Sequence, residues 1–279
     1  MSDVVLQSPI PNDAYRKPSE KFKLRSGFFL GFTIILVLVG AILGFNPFML
    51  IYEFHNVQDL ADRALPPNFE LLATQRSAYA SLAETVSMAF LGTLFGGALS
   101  LVLAFLAARN TTPSKTLSSA IKNLFALERA LPSFAVMLMF QIAVGVGPFS
   151  ATIALTIGSI GMFGKLFSEA IEAVDPKPID AISTVGATRS QTVRYGIIPV
   201  VLPSIVSNWF YAFDVNVRSA IALGAYGGGG IGFQLVLAQK TLRHDDLLAW
   251  VFFILILIAS LERVSDFLRS RIIKKGALK

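Results

Sequence analysis

Long apolar segments alternate with shorter polar ones along the chain from residue 27 to residue 261. The apolar residues come in blocks, not in the alternating pattern of a half-buried strand, and a block of about 20 apolar residues spans a bilayer as a helix. Lipid offers no partners to backbone N–H and C=O groups, so a spanning segment must satisfy them internally. The pattern therefore predicts an all-α fold, that of a polytopic helical membrane protein.

Six of these blocks are predicted to be transmembrane helices. They cover residues 27–52, 85–108, 130–146, 151–167, 201–223 and 247–261. The third and the fourth are short for a perpendicular span, which indicates that they are steeply set, locally irregular or packed inside the bundle.

Lysine and arginine are distributed unequally between the segments that connect the predicted spans. Nineteen lie before the first span, after the sixth, or in the second-to-third and fourth-to-fifth connections, where Lys165 at the end of the fourth span is counted with the latter. Four lie in the other connections, and Arg218 lies inside a span. Basic residues accumulate on the cytoplasmic side of membrane proteins, so both termini are expected there. The predicted organisation is a cytoplasmic tail at residues 1–26, a transmembrane domain at 27–265 and a second cytoplasmic tail at 266–279.

The composition agrees with a membrane location. Of the 279 residues, 54% are hydrophobic and 15% are charged, whereas a soluble domain carries about 25% charged residues. The net charge of +6 is dispersed between the apolar blocks, so membrane topology explains it better than nucleic-acid binding does. The chain has no cysteine and two histidines, which excludes disulfides and thiolate metal sites and leaves little for a histidine metal site.

The connection between the first and second spans, residues 53–84, is predicted to be external. It contains the sequence RALPPNFELL, in which Pro66 and Pro67 interrupt any helix. Apolar and polar residues alternate on either side of the prolines, which favours short amphipathic helices at the outer surface of the membrane.

The longest internal connection, residues 168–200, carries the signals of two helices joined at a glycine turn. Asp175 is predicted to cap the first helix, whose first turn tolerates the prolines that follow. Gly186 is predicted to end that helix, because glycine adopts a positive φ most easily. Thr188 and Gln191 have the spacing of a capping box, which predicts the start of a second helix.

The first of these two helices is predicted to carry a small apolar face made of Ala181, Ile182 and Val185. Such a face suits docking into a groove on a partner protein. A structured linker that packs against the bundle is an equal alternative on the residues alone.

The same segment resembles the cytoplasmic coupling loop of ABC importer permeases, whose pattern is Glu-Ala-Ala, three residues, Gly, nine residues, then Ile-x-Leu-Pro. The corresponding positions, with the residue that follows the glycine, are Asp180, Ala181, Ile182, Gly186, Ala187, Ile198 and Pro199. The chain departs from the pattern at four positions, with Asp180 for Glu, Ile182 for Ala, Gly196 for Ile and Ile198 for Leu.

Further motifs narrow the resemblance to the phosphonate-type permeases. They are ALPPNF in the first external connection, ERALPSF before the third span, RYGIIPVVLP before the fifth, and FDVNVRSAIALGAYGGGGIGFQL. The resemblance implies the six-helix fold of a type I importer in the inner membrane. It also implies a second permease subunit, two ATPase subunits and an external substrate-binding protein, with phosphonate, phosphite or hypophosphite as the cargo.

No cofactor is expected on this chain. It has no G-x-x-x-x-G-K-[ST] phosphate-binding loop, so ATP and Mg²⁺ are expected on the partner ATPase. The coupling loop would carry force from ATPase closure to the helices, and Gly186 would allow the tight turn where the two proteins meet. No catalytic residue or metal ligand is predicted, and the chain is expected to be a transport subunit and not an enzyme.

The fifth predicted span contains two charges within the sequence FDVNVRSA. Asp214 and Arg218 are four residues apart and share one helical face, and charges inside a bilayer usually face a cavity or a partner. One interpretation is a self-neutralising pair that stabilises packing or an interface. In the other, Arg218 lines the transport path and binds the oxyanion through two parallel hydrogen bonds. Asp214 is then a candidate for the path beside Arg218, and Asn216 and Ser219 are lesser candidates.

A glycine-rich sequence, GAYGGGGIGF, follows the fifth span, and its Gly228 and Gly229 are further candidates for the path. Such a run can present backbone N–H groups to an anion. A tight re-entrant turn with close backbone packing, at the outer end of the path, is favoured. The strand–turn–helix context of a dinucleotide-binding site is missing.

Other classes of function remain as alternatives. The chain can be an importer permease for another small solute, such as an amino acid, or a channel or membrane scaffold outside the ABC class. A channel is expected to show repeated polar rings or a selectivity filter, and neither is evident. A membrane enzyme is disfavoured because the predicted spans contain no nucleophile–base pair, metal cluster or paired acids.

Overall fold

The computed structural model describes residues 20–44, 46, 48–71 and 76–276 of the chain. Within these ranges all regular secondary structure is helical, which confirms the predicted all-α class. Most of the predicted N-terminal tail, residues 1–19, and the last three residues, 277–279, lie outside the described residues. The chain divides into two compact units, residues 1–59 and 60–279.

The described part of the first unit consists of helix α1 (Glu20–Ile42), helix α2 (Met49–Tyr52) and the start of helix α3 (Phe54–Ala64). α1 begins within the predicted tail and is about 34 Å long, enough to cross a membrane. The first span was expected to continue to residue 52, but the helix ends at Ile42 and the chain turns at Gly44, which has a φ of 69°. From residue 27 to residue 42, apolar residues occupy all sides of α1, as is typical of a helix in lipid.

α3 extends into the second unit and is an amphipathic helix of the kind expected in residues 53–84. Its apolar and polar residues separate onto opposite sides. It ends at Ala64, shortly before Pro66 and Pro67, which is where the prolines were predicted to interrupt a helix. Its place at the outer surface of the membrane stays a prediction.

The second unit is a bundle of helices of very different lengths. In the described part of this unit, the helices after α3 are α4 (Arg76–Ala107), α5 (Lys115–Arg129), α6 (Ser133–Val144), α7 (Pro148–Glu172), α8 (Pro176–Thr184), α9 (Arg189–Thr192), α10 (Ile198–Leu223), α11 (Gly230–Lys240) and α12 (His244–Gly276). A π-helical segment, Val193–Ile197, joins α9 to α10 without a break.

Among the described residues, five helices are long and apolar enough to cross a membrane, and α5 and α6, which meet at a bend of 82°, qualify together as a sixth. The third predicted span, residues 130–146, corresponds to α6, which is too short to qualify without α5. α6 alone measures about 18 Å, less than the ~30 Å of bilayer hydrocarbon. Pro132 precedes α6 and prevents α5 from continuing into it.

The core of the second unit lies between α4, α7 and α10. Gly92 and Gly96 of α4 face Leu155 and Ser159 of α7, and a Cβ at either glycine would overlap the facing side chain. The two helices can approach closely because these positions are glycine. Large buried side chains fill the space around this contact, among them Met88, Met137, Phe163 and Phe167. The α4–α7 pair is the frame against which the candidate functional segments pack.

α12 runs well beyond its predicted span. That span was expected at residues 247–261 and a tail from residue 266, but the helix is continuous from His244 to Gly276. Asp245 and Asp246 lie in its first turn, where negative charge is favourable. Asp246 also accepts a hydrogen bond from the Asn68 side chain over 2.8 Å, which ties the ALPPNF motif to the start of α12. The cytoplasmic location of residues 266–279 stays a prediction.

Candidate functional site

The predicted helix–glycine–helix segment forms between α7 and α10, and we call residues 175–199 the coupling segment. The Asp175 carboxylate accepts a hydrogen bond from the Lys177 N–H over 3.0 Å and caps α8. Gly186 follows with a φ of 86°, a conformation that costs an L-residue about 1–2 kcal/mol. In the predicted capping box, the Thr188 N–H donates to the Gln191 side chain over 2.8 Å. The cap, the glycine turn and the start of the second helix are confirmed.

The second helix of the coupling segment is continuous with the fifth span. α9 passes through the π-helical turn into α10, so one helix runs from Arg189 to Leu223 over about 50 Å. Pro199 lacks the N–H that would continue the hydrogen-bond ladder, and the π-helical turn just before it accommodates that loss. A displacement of the coupling segment would therefore reach the far end of α10 along unbroken helix.

The apolar face predicted on α8 is divided in the structure. Ala181 is exposed and Val185 is 84% exposed. Ile182 instead faces the π-helical turn, where a Cβ at Gly196 would lie 3.1 Å from its Cδ1. Ile182 is thus half-buried, and its part in a docking face stays a prediction. The two departures from the family pattern compensate each other, since a large residue at 182 occupies the room that a large residue at 196 would need.

The other motif residues of the coupling segment lie at or near its surface. Asp180, Ile198 and Pro199 are exposed, and Ala187 is half-buried. The Arg189 guanidinium donates to the Thr112 carbonyl in the connection between α4 and α5. The segment is thus attached to the bundle on one side, as the linker interpretation expects, and exposed on the other; docking of a partner there stays a prediction.

The two charges of the fifth span do not pair with each other. The Arg218 guanidinium forms an ion pair with Glu262 of α12, and the two side chains are 48% and 45% exposed. The Asp214 carboxylate instead accepts a hydrogen bond from the Ser265 hydroxyl over 3.2 Å. The interpretation of Asp214 and Arg218 as a self-neutralising pair was therefore wrong. Both residues point towards α12, because positions four apart share a helical face.

Asn216 lies on a different face of α10 from Arg218, because two residues correspond to about 200° around a helix. It is 5% exposed and donates to the Thr93 hydroxyl of α4 over 2.8 Å and to the Ser159 hydroxyl of α7 over 2.9 Å. Ser219 is half-buried. In this structure Asn216 joins three helices and does not line the same surface as Arg218.

The glycine-rich sequence forms a tight turn between α10 and α11, and we call residues 224–230 the glycine turn. Gly227, Gly229 and Gly230 have φ values of 94°, 84° and 66°. Gly228 is buried, and a Cβ there would lie 2.9 Å from the Ala151 Cβ of α7. The favoured interpretation as a tight turn with close backbone packing is confirmed. Its place at the outer end of a path stays a prediction.

One backbone amide of the glycine turn already binds a carboxylate of the same chain. The Gly230 N–H donates to Glu84 Oε2 over 2.6 Å, and the neighbouring Ile231 N–H donates to the Thr85 hydroxyl over 2.9 Å. Glu84 was predicted to lie in the external connection, and its bond to the glycine turn was not predicted. The available signal was an acidic residue directly before an apolar block, and nothing in the local sequence connects it to glycines 146 positions away.

Residues 100–275 match the protein family described as the binding-protein-dependent transport system inner membrane component. The matched range begins within α4 and contains the coupling segment, Arg218 and the glycine turn.

Two relatives align over most of the chain. A phosphate-import permease protein of Mycolicibacterium smegmatis is 33% identical over 269 residues, which cover 96% of this chain and 49% of the relative. The phosphite transport system permease protein of Stutzerimonas stutzeri is 34% identical over 214 residues, which cover 77% of each chain. The chain thus spans about half the length of the Mycolicibacterium relative.

Solved structures share the fold at low sequence identity. A chain of the MetNI methionine ABC transporter, in an inward-facing conformation, has a TM-score of 0.60 at 21% identity and covers 68% of this chain and 93% of its own length. A chain of a bacterial alginate ABC transporter has a TM-score of 0.61 at 16% identity, with 90% and 98% covered. These likenesses support the predicted type I importer fold. With the match over residues 100–275, they lead to one conclusion: the chain belongs to the family of binding-protein-dependent transport system inner membrane components.

Proposed function

We propose that the chain is the membrane-spanning permease subunit of an ATP-driven importer for a small phosphorus oxyanion. Phosphonate is the first candidate, and phosphite and hypophosphite require the same chemistry. The permease moves its cargo by alternating access, while a separate subunit binds ATP and Mg²⁺ and hydrolyses the nucleotide.

The continuous α9–α10 helix is the observation that carries this proposal. At one end the helix begins in the coupling segment, where Val185 is 84% exposed. At the other end it enters the glycine turn, which packs against α4 and α7. An unbroken helix transmits a displacement of one end to the other. An ATPase that holds the exposed side of α8 would supply that displacement.

The named cargoes of the relatives and the chemistry of Arg218 support a phosphorus oxyanion. The two relatives are named as phosphate-import and phosphite transport permeases. A guanidinium presents parallel N–H groups that match two oxygens of such an anion. Because Arg218 pairs with Glu262 in this structure, an anion that binds Arg218 has to compete with that carboxylate.

The exposure of the Arg218–Glu262 pair supports a second permease subunit. Both side chains are about half exposed on helices that are apolar enough to cross a membrane. Charged groups in such helices face a partner or a water-filled cavity and not lipid. A second subunit, identical or homologous, would enclose the pair. Two ATPases and an external binding protein complete the assembly in the inner membrane, with both termini of this chain in the cytoplasm.

Uptake by the complete complex tests the cargo. The permease, ATPase and binding protein are reconstituted in liposomes with ATP on the ATPase side. They are then supplied separately with methylphosphonate, phosphite, hypophosphite, phosphate or methionine. We expect ATP-dependent accumulation of a phosphorus oxyanion, measured by mass spectrometry, and no accumulation of methionine. Accumulation of methionine alone would show that the cargo is methionine and not a phosphorus oxyanion. Solute movement through the isolated permease without ATP would contradict the importer mechanism.

Thiol labelling tests the docking of the ATPase, because the chain has no cysteine of its own. In a Val185→Cys variant, a membrane-impermeant maleimide should label the isolated permease and should label the complex with the ATPase much less. Leu242→Cys is the matched control, since Leu242 is 73% exposed in the connection between α11 and α12. It should be labelled equally with and without the ATPase, and from the opposite side of the membrane. Equal labelling of Val185→Cys in both states would place the ATPase elsewhere.

A further inference from the structure

Glu84 is an acidic side chain on α4, within a segment that is apolar enough to cross a membrane. Among the described residues, the ion pairs formed by Lys, Arg and His do not include it. Its Oε2 accepts from the Gly230 N–H over 2.6 Å, at the N-terminus of α11. The partial positive charge of a helix N-terminus favours a carboxylate at this place. Charge-assisted hydrogen bonds are stronger than neutral ones, so the contact between α4 and α11 depends strongly on this residue.

Three neutral hydrogen bonds surround this contact. The Thr85 hydroxyl accepts from the Ile231 N–H over 2.9 Å, and the Gln234 side chain donates to the Ser81 hydroxyl over 3.2 Å. On the other side of the turn, the Gln141 side chain of α6 donates to the Tyr226 carbonyl over 3.2 Å. Glu84 supplies the one charged acceptor in this set.

The glycine turn is shaped to admit the carboxylate. A Cβ at Gly229 would lie 3.2 Å from the Glu84 carboxyl carbon, so a larger residue there would crowd Glu84. Glu84 also lines a cleft of about 480 Å³ between α4 and α7, together with Ser87, Thr152, Thr156 and apolar side chains. It therefore lies where the glycine turn meets a cleft in the bundle.

We infer that the hydrogen bond between Glu84 and the Gly230 N–H holds the glycine turn against α4, and we call this bond the latch. A movement of the coupling segment separates the end of α10 from α4 by breaking the latch. The inference rests on the proposed transport function and assigns Glu84 a positioning role in it. While the bond is made, it holds the glycine turn against α4. Once it is broken, only neutral hydrogen bonds, such as that between the Ile231 N–H and Thr85, still hold the turn to α4, and these are weaker.

Hydrolysis of ATP by the reconstituted complex, measured with and without the binding protein, tests the latch. Glu84→Ala removes the acceptor and should raise the ATPase rate without binding protein several-fold. Glu84→Gln keeps a neutral acceptor and should give a smaller rise. Ser87→Ala is the matched control, because Ser87 lies on the same helix and lines the same cleft but forms no hydrogen bond to the turn, and it should behave as wild type. If Glu84→Ala retains the full dependence on binding protein, the latch is overturned.

A cross-link between α4 and α11 tests the same step without weakening the fold. Ser81 and Gln234 are replaced together by cysteine in the cysteine-free chain, and the two thiols are joined by a short bis-methanethiosulfonate, which attaches to each thiol through a disulfide that a reductant cleaves. We expect the cross-link to stop uptake and a reductant to restore it, while each single cysteine has no such effect. Uptake that continues through the cross-linked complex would overturn the latch.

The two proposals fail in different ways. The ATPase measurement does not depend on the identity of the cargo, so a wrong cargo in the uptake assay leaves the test of Glu84 intact. The latch alone would be overturned if the wild-type complex takes up a phosphorus oxyanion, Glu84→Ala keeps the wild-type ATPase rate, and the cross-linked complex still takes up the anion. A chain that associates with no ATPase would overturn the proposed function and the latch with it.

Discussion

Two turns lie at opposite ends of the α9–α10 helix, and they need glycine for different reasons. Gly186, in the coupling segment, has a φ of 86°, and a Cβ there would meet no atom within 4 Å. Gly224 in the glycine turn and Gly232 in α11 have no such φ, yet a Cβ at either would overlap backbone atoms, namely the carbonyl oxygens of Gly229 and Ile221. The first turn needs glycine for its backbone conformation alone, whereas the second needs it for close packing as well as for the positive φ of Gly227, Gly229 and Gly230.

The difference indicates how each turn takes part in transport. Free space around Gly186 means that the described chain does not cover this surface, as expected where another protein binds. The glycine turn is surrounded by its own chain, so it can move only by breaking contacts that it already makes. Assembly should therefore change the environment of the coupling segment, whereas the transport cycle should change that of the glycine turn.

Gly232→Ala should have the largest effect on the folded chain. Its new Cβ would collide with the Ile221 carbonyl of α10, and overpacking of this kind costs about 3 kcal/mol. Gly186→Ala introduces only an unfavourable φ, at a cost of about 1–2 kcal/mol. Thermal melting in detergent should therefore fall much further for Gly232→Ala than for Gly186→Ala. Equal melting temperatures would contradict the distinction between the two turns.

Gly186→Val should uncouple transport and leave the bundle folded. A β-branched residue is strained at a positive φ, and it would distort the surface offered to the ATPase without filling any packed space. We expect loss of the ATPase activity stimulated by the binding protein, with melting close to that of Gly186→Ala. Gly186→Asn is the matched control, because asparagine tolerates this conformation best after glycine. Normal stimulated ATPase activity of Gly186→Val would argue against a coupling role.

Arg218 lies on the helix between the two turns, and a charge exchange separates its two interpretations. Arg218→Ala should reduce uptake of the anion without dissociating the ATPase. The double variant Arg218→Glu/Glu262→Arg restores the ion pair with α12 with its two charges exchanged. It should therefore restore the melting temperature but not the uptake of the anion. Asp214→Asn, which retains an acceptor for the Ser265 hydroxyl, is the control and should change uptake little. Recovered uptake in the double variant would leave Arg218 a structural role only.

The smallest effect is expected within the coupling segment, between Ile182 and Gly196. Gly196→Ala brings a Cβ within 3.1 Å of the Ile182 Cδ1 and should cost about 1 kcal/mol. Ile182→Ala removes the crowding, so the double variant should be more stable than the sum of the single changes by about 0.5–1 kcal/mol. A double-mutant cycle by thermal melting measures this difference, and additive changes would show that the two positions are independent.

Local features of the coupling segment could be predicted from the sequence because each depends on residues only a few positions apart. The Asp175 cap, the turn at Gly186 and the capping box at Thr188 and Gln191 are of this kind. α5 and α11 were not predicted, because their sequences carry no such clear local signal. α5 is amphipathic and α11 is short, so neither produces an apolar block long enough to indicate a span.

The partners of the polar groups in the spans could not be predicted. Helical spacing places Asp214 and Arg218 on one face, but it does not say which helix packs there. α12 lies against that face and supplies Glu262 to Arg218 and Ser265 to Asp214. α4 and α7 lie against another face and surround Asn216. The sequence therefore identified each candidate path residue, but it did not predict that these residues lie on two different surfaces.

The sequence by itself determined the membrane-spanning class, most of the long helices and the two glycine turns, because hydrophobic length, proline and glycine act locally. Only the tertiary structure decided that one helix joins the turns, that Arg218 pairs with Glu262, and that Glu84 holds the amide of Gly230. These contacts join residues 44 and 146 positions apart. They depend on which helices pack together, and that packing follows from close approach at small residues rather than from any local signal.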